Sequence, residues 1–222
     1  MTRKSSETTG APKERLSPAE IDALEAKNGL LQFDRMIEII REHEKNQTPL
    51  MLTPALMLEL QALAVQGLER APGSLRQGAI YITGTNHVPP PAAECPGLVD
   101  ELCAYVNDNW QAASPVHLAS YVMWRLNWIH PFSDGNGRAS RIVSYLVLSC
   151  RLGYVLPGVK TVPEKIAAHK DPYYAALDAA DAAWSDGRLD VTAMEELMSR
   201  LLAQQLVEIH SRATGDHQGK VD

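Results

Sequence analysis

No apolar run in this chain reaches the roughly 18 residues that a membrane-spanning helix needs, so no such span and no membrane partner are expected. An excess of basic residues is missing as well. Lys and Arg number 21 against 27 Asp and Glu, a formal net charge of -6, which argues against a large basic face for nucleic acid. Cysteine is scarce and odd in number: Cys95, Cys103 and Cys150. Their spacings fit no metal motif, and the reading is a reducing, cytoplasmic compartment. The stretch "MTRKSSETTGAPKERLSP" has no apolar centre of the kind a secretory signal requires. No internal repeat is visible, and strand-forming sequence is sparse. What is present is ordinary for a globular chain: 45% apolar and 22% charged residues in a length of 222, enough to bury one sizeable core.

Most of that length carries helix signals. Residues 1–16 are polar, lack periodicity and are expected to be a disordered tail. "SPAE" follows, with Ser17 as cap, Pro18 at the first helical position and Glu20 reaching back. This predicts a helix to about Lys27, interrupted at Asn28-Gly29. A second amphipathic helix then carries Leu30, Phe33, Ile37 and Ile40. Together, 17–50 form an N-terminal helical region. Thr53-Pro54 opens another helix. "AIYITGTNHV" is the one convincing β-rich stretch, and it predicts a short hairpin that turns at Gly84 and is closed by Pro89–Pro91. Helical patterns resume over 94–110, 115–129 and 137–152. Two more begin at Asp171-Pro172 and Asp190. The expected architecture is an all-α bundle with one small β-hairpin. Its core and last helix span 51–212, and 213–222 form a flexible tail.

Against this background "WIHPFSDGNGRASR", Trp128–Arg141, stands out. It gathers residues that fill a core poorly and sets them between two apolar segments. Pro131 disfavours helix for the residue before it, so the first segment ends at His130. "SDGNG" is a turn, and a new helix starts near Asn136 or Gly137. Free backbone N–H groups and the positive end of a helix then face the loop, which makes an anion site. The glycines let backbone approach a phosphate closely. Arg138 and Arg141, three residues apart, share a helix face and can clamp phosphate oxygens. Asp134 suits a hard cation such as Mg²⁺. His130, with an ordinary pKa of about 6.5, suits a general base. These parts fit transfer of a phosphorus-containing group to a hydroxyl.

The same segment resembles the Fic-domain signature H-x-F-x-[D/E]-G-N-G-R-x-x-R and matches it at each fixed position. The resemblance implies a helical bundle with a β-hairpin flap, and a protein adenylyltransferase that moves AMP from ATP to a Ser, Thr or Tyr hydroxyl of a target protein or of itself. On that resemblance His130 would deprotonate the hydroxyl, and Phe132 would anchor the loop in the core. Asp134 would bind Mg²⁺. Asn136 would hold the α-phosphate beside the Gly135 and Gly137 backbone, and Arg138 and Arg141 would grip the β- and γ-phosphates. Glycine at 137, where the family's kinase-like branch carries lysine, favours AMP transfer. The hairpin residues Ile80, Tyr81, Ile82, Thr83 and Gly84 would be the flap, pairing with an extended target segment by β-augmentation.

Many Fic proteins also resemble one another in an inhibitory helix, [S/T]-x-x-x-E-[G/N], whose glutamate pairs with the second motif arginine, here Arg141. "IDALEAKNG" offers Glu25, though Ile21 and Ala26 depart from the pattern. "TAMEEL" offers Glu196 behind Thr192, though Leu197 departs from it. Because inhibitory helices in the family are often buried at contacts, a homodimer is compatible with the resemblance. Other transferases on this scaffold use UTP, GTP or CDP-choline, and some members remove AMP. A non-enzymatic module would be expected to have a damaged motif, and His130 is intact. Tyr173 and Tyr174 are weak candidates for the base pocket. His43, His87, His117 and His169 show no ligand spacing.

Overall fold

In the computed structural model, residues 4–6, 15–158 and 160–214 are described. Among them the chain is all-α, with eight helices and two three-residue strands. The strands are β1 (Lys4–Ser6) and β2 (Tyr81–Thr83). The helices are α1 (Pro18–Asn46), α2 (Pro54–Val65), α3 (Cys95–Asp108), α4 (Pro115–Ile129), α5 (Asn136–Leu152), α6 (Val162–Ala168), α7 (Asp171–Ser185) and α8 (Thr192–Thr214). The expected tail segments at 1–3, 7–14 and 215–222 lie outside the described residues.

The helix starts are set locally. Ser17, Thr53 and Ser114 each accept a hydrogen bond from a backbone N–H of the first turn, and each precedes a proline. Proline is tolerated there because its missing N–H would have been unpaired anyway. Thr161, Pro163 and Glu164 repeat the pattern with a full capping box at α6. That helix was not anticipated, although its signal was the same as the others.

α4 and α5 form the buried centre. Both are buried over most of their surface, and small residues let them approach closely. Ser144 Oγ, for example, donates to the Ala119 carbonyl at 2.7 Å. Trp124, Phe132, Tyr145 and Met123 fill the space around them and are essentially inaccessible. The other helices pack around this pair.

Two expectations are corrected. First, α1 does not break at Asn28-Gly29 but continues for 29 residues. Asn28 is buried, and its amide donates to the Gln66 carbonyl at 2.8 Å. Four positions on, Gln32 donates to the Leu60 carbonyl at 2.9 Å. Tertiary bonds to α2 and its end thus outweigh the weak local propensity of an Asn-Gly pair. Second, β2 has no hairpin partner of its own. After the turn at Gly84 (φ +82) the returning arm is not strand. It is held instead by His87, whose Nε2 lies 2.7 Å from the Trp128 carbonyl, and it ends in prolines that cannot donate to a ladder. The strand paired antiparallel with β2 is β1, from the stretch expected to be unstructured.

All three cysteines are buried and free. Burial pushes the Cys103 and Cys150 thiols up to about 12 and raises Cys95 as well.

Gly29 gives a direct test of the continuous α1. It lies in the helix interior, and a Cβ added there would meet nothing within 4 Å. Gly29→Ala is expected to raise unfolding free energy by roughly 0.5–1 kcal/mol in denaturant titration. A loss of stability would mean that the helix breaks there after all.

Candidate functional site

The loop joining α4 to α5 must reverse two fully buried helices within a few residues. α4 ends at His130, whose backbone is left-handed (φ 49, ψ 55). For a non-glycine residue that conformation is uncommon and must be held by its surroundings. The holder is Arg76, which sequence reasoning missed. Its buried guanidinium donates from Nε to the His130 carbonyl at 2.8 Å, from Nη1 to the Gly78 carbonyl at 2.9 Å, and from Nη2 to the Ile129 and Pro90 carbonyls. The last carbonyls of α4 lack helical partners, and Arg76 supplies them. The same side chain ties the helix end to the segments before and after β2.

The turn itself is closed by Asn136. Its Oδ1 accepts from Phe132 N at 3.0 Å and its Nδ2 donates to Phe132 O at 2.7 Å. Phe132 is fully buried, as expected of a loop anchor. Asn136 therefore acts here as the clasp of the loop, where the resemblance implied a hold on phosphate. Gln61 braces the outside: Nε2 donates to the Asp134 carbonyl at 2.9 Å and Oε1 accepts from Gly73 N at 2.8 Å. Gly135 is left-handed (φ +79), and a Cβ there would sit 2.8 Å from Val65 Cγ1. At Gly137 an added Cβ would meet Arg141 Nη1 at 3.2 Å.

One cavity brings most of the predicted residues together. Its walls are His130, Asp134, Gly135, Asn136, Gly137, Arg138 and Arg141, with Ile82 from β2, Asn127 from α4, Lys170 at the cap of α7, and Tyr173, Tyr174 and Leu177 from α7. Tyr173 and Tyr174, weak candidates in the sequence, do reach it. Asn127 and Lys170 were missed: nothing local marks Asn127, and Lys170 is visible only as the residue before α7. Asn127 Nδ2 donates to the Tyr173 hydroxyl at 2.8 Å. Of the flap residues, Ile82 alone lines this cavity. Tyr81 is exposed and Ile80 is buried.

The two motif arginines differ in state. Arg138 sits between carboxylates: Nη2 is 3.3 Å from Asp134 Oδ2, and Nη1 is 3.3 Å from Glu25 Oε1 and donates to the Ala64 carbonyl at 3.0 Å. Arg141 has no carboxylate partner among the described residues. Burial pushes its pKa down; the nearby tyrosines, led by Tyr173, pull it up, and Arg138's like charge adds to the lowering. A guanidinium stays charged regardless, so this is a desolvated positive charge. Glu25 thus meets the first motif arginine, not the second as the resemblance implied. Glu196 is exposed on α8 and joins neither arginine; its neighbour Glu195 contacts His117 Nδ1 at 2.6 Å.

His130 Nδ1 lies 3.3 Å from the Asn127 carbonyl. A carbonyl can only accept, so this bond requires the proton on Nδ1 and leaves Nε2 as the basic nitrogen. No cluster of three or more His, Cys, Asp or Glu suited to a metal occurs among the described residues. Asp134 is the carboxylate on the cavity wall, with Oδ1 accepting from Gly135 N at 2.6 Å.

Fold and loop together define an all-α bundle with a cavity lined by the loop and the start of α5 at a helix–loop–helix junction. Residues 51–148 match the model of the Fic/DOC family. A protein named protein adenylyltransferase Fic from Drosophila persimilis is 36% identical over 83 residues, covering 37% of this chain and 16% of that protein. The chain therefore spans well under half the length of such relatives. A Fic family protein from Desulfovibrio desulfuricans G20 superposes with TM-score 0.63 at 23% identity, covering 93% of this chain and 57% of that one. BepC, a Bartonella tribocorum effector with bound AMPPNP, gives TM-score 0.51 at 16% identity, covering 77% and 85%.

Gly135 provides the structural test. Val65 is fully buried and β-branched, so it has little room to yield. Gly135→Ala combines that collision with left-handed strain and should cost about 1–3 kcal/mol of stability. A thermal shift near zero would mean that the loop adopts another path.

Proposed function

We propose that this chain is a protein adenylyltransferase that moves AMP from Mg²⁺-ATP to a Ser, Thr or Tyr hydroxyl, and that Glu25 restrains it. The observation that carries this reading is the shared cavity, in which a desolvated Arg141, without a carboxylate partner among the described residues, sits together with a buried His130 whose Nε2 is basic. A triphosphate would supply the anion that Arg141 lacks. Arg138 would grip it once Glu25 leaves, and the backbone at Gly135 and Gly137 would line its path. Positioning and charge neutralisation would then do most of the catalytic work. His130 Nε2 would take the proton of the attacking hydroxyl.

Mg²⁺ fits this site. It commonly uses one or two protein carboxylates and completes its shell with water and substrate phosphates. Asp134 would hold it, and when bound it would draw negative charge from the phosphates. The name of the Drosophila persimilis relative and the nucleotide analogue in the BepC neighbour agree with this reading.

Glu25 would restrain by competition. Its carboxylate meets Arg138 at 3.3 Å with about half of its side chain exposed. Such a pair is worth about 0–1 kcal/mol, so it would weaken triphosphate binding without abolishing it.

The test is label transfer. Wild type, Glu25→Gly and His130→Ala are incubated with Mg²⁺ and ATP labelled at the α- or the γ-phosphate, and proteins are read by gel and intact mass. AMP should appear from α-label, more strongly in Glu25→Gly, and be absent in His130→Ala. Label from the γ-phosphate would make the protein a kinase. Transfer from UTP, GTP or CDP-choline instead would change the donor.

A further inference from the structure

Two polar braces divide the loop between α4 and α5. Asn136 and Gln61 serve its second half, where they hold Phe132 and the Asp134 carbonyl. Arg76 serves the first half. Its main-chain N–H donates to the Pro131 carbonyl at 2.8 Å, and its guanidinium takes the Ile129 and His130 carbonyls. One residue thus grips three consecutive carbonyls, with His130 in the middle. The same guanidinium reaches the Gly78 and Pro90 carbonyls, before and after β2. Among the described residues its hydrogen-bond acceptors are all backbone carbonyls, although Arg76 is only 4% exposed.

A buried cation is a costly way to close a loop. Neutral amides do the same for the second half, as Asn136 and Gln61 show. What the guanidinium adds is geometry. Its planar fork fixes several acceptors relative to one another, which an ammonium on a flexible stem does not. Those acceptors lie on two sides, at His130 and at the arms of β2, the strand whose Ile82 lines the cavity with His130. The bond from His130 Nδ1 to the Asn127 carbonyl is long at 3.3 Å. The direction of the ring therefore leans on the left-handed backbone behind it (φ 49), which Arg76 holds.

We infer that Arg76 is a positioning residue of the proposed transfer, fixing the general base and the arms of β2 in one geometry while taking no part in nucleotide binding. This rests on the proposed function and adds a residue to it. In the step, the acceptor hydroxyl oxygen bonds to the α-phosphorus. The bond from that phosphorus to the bridging oxygen of the β-phosphate breaks, and pyrophosphate leaves with the electron pair. The hydroxyl proton passes to His130 Nε2, and Arg76 acts on where that nitrogen stands. Arg76 lies outside the cavity wall. Its bonds in the loop end at Pro131, whereas Arg138 is held by the Ala64 carbonyl and two carboxylates. The nucleotide side and the base side of the cavity thus have separate supports.

The experiment places Arg76→Lys and Arg76→Gln in the full Glu25→Gly chain. Two quantities are read: the rate of AMP transfer from α-labelled Mg²⁺-ATP to protein, and the affinity and stoichiometry of α,β-methylene-ATP by calorimetry. The rate per nucleotide-binding molecule should fall by about 100-fold in both variants, while affinity stays within about twofold of the parent. Lysine keeps the charge but not the fork, so recovery of the rate by Arg76→Lys would reduce the role to charge and overturn the inference. An unchanged rate overturns it too, as does a loss of affinity in step with the rate. If neither variant binds nucleotide, Arg76 serves the fold as a whole and the inference falls, while activity in the parent leaves the proposed function standing. No transfer by the parent overturns the proposed function and the inference with it.

Discussion

Everything at this site depends on one constraint: α4 and α5 are buried almost all round, yet must be joined by a turn of six residues, His130 to Gly135. A buried turn leaves carbonyls and N–H groups without water, and each needs a partner. Arg76 answers for the end of α4, and Asn136 closes the loop on Phe132. Gln61 takes the Asp134 carbonyl. These three polar side chains are themselves buried. The rigidity of the loop is thus a consequence of satisfying backbone groups away from water. The left-handed His130 persists because its own carbonyl is held, and its imidazole position follows from that.

Arg76 also links the loop to the flap region. Its guanidinium reaches Gly78 before β2 and Pro90 after it, while its Nε holds His130. One planar fork thus ties the segments flanking β2 to the backbone of His130. That matters for any reaction on a hydroxyl delivered at the strand, since misplacement by about 1 Å is costly in such steps.

The parts legible in the sequence were those encoded locally. Ser114-Pro115 and His130-Pro131 bracket α4 because capping and proline chemistry act over a few residues. The motif residues were legible because their spacing places them on one turn and one helix face. What could not be read depended on distant partners. Continuity of α1 through Asn28-Gly29 needs the Gln66 carbonyl, 38 positions away. Arg76 looks like an ordinary loop arginine until four carbonyls converge on it. The partner of β2 lies in a polar stretch with no strand signal, so pairing there is imposed by an available edge. Asn127 and Lys170 reach the cavity only because α4 and α7 pack side by side. α6 is different: its capping box was present in the sequence and went unread.

The unequal arginines carry the last step. Arg138 is neutralised by two carboxylates, one fixed four residues before it on its own turn and one borrowed from α1. Arg141, three residues on, is desolvated and has neither. An incoming polyanion should therefore be drawn first to Arg141, where no carboxylate must be displaced. It would compete with Glu25 only afterwards, at Arg138. Because that competing pair is half in water, a multiply charged phosphate chain should prevail once anchored. Under the proposed function, Glu25 would grade occupancy of the far phosphates more than bar entry.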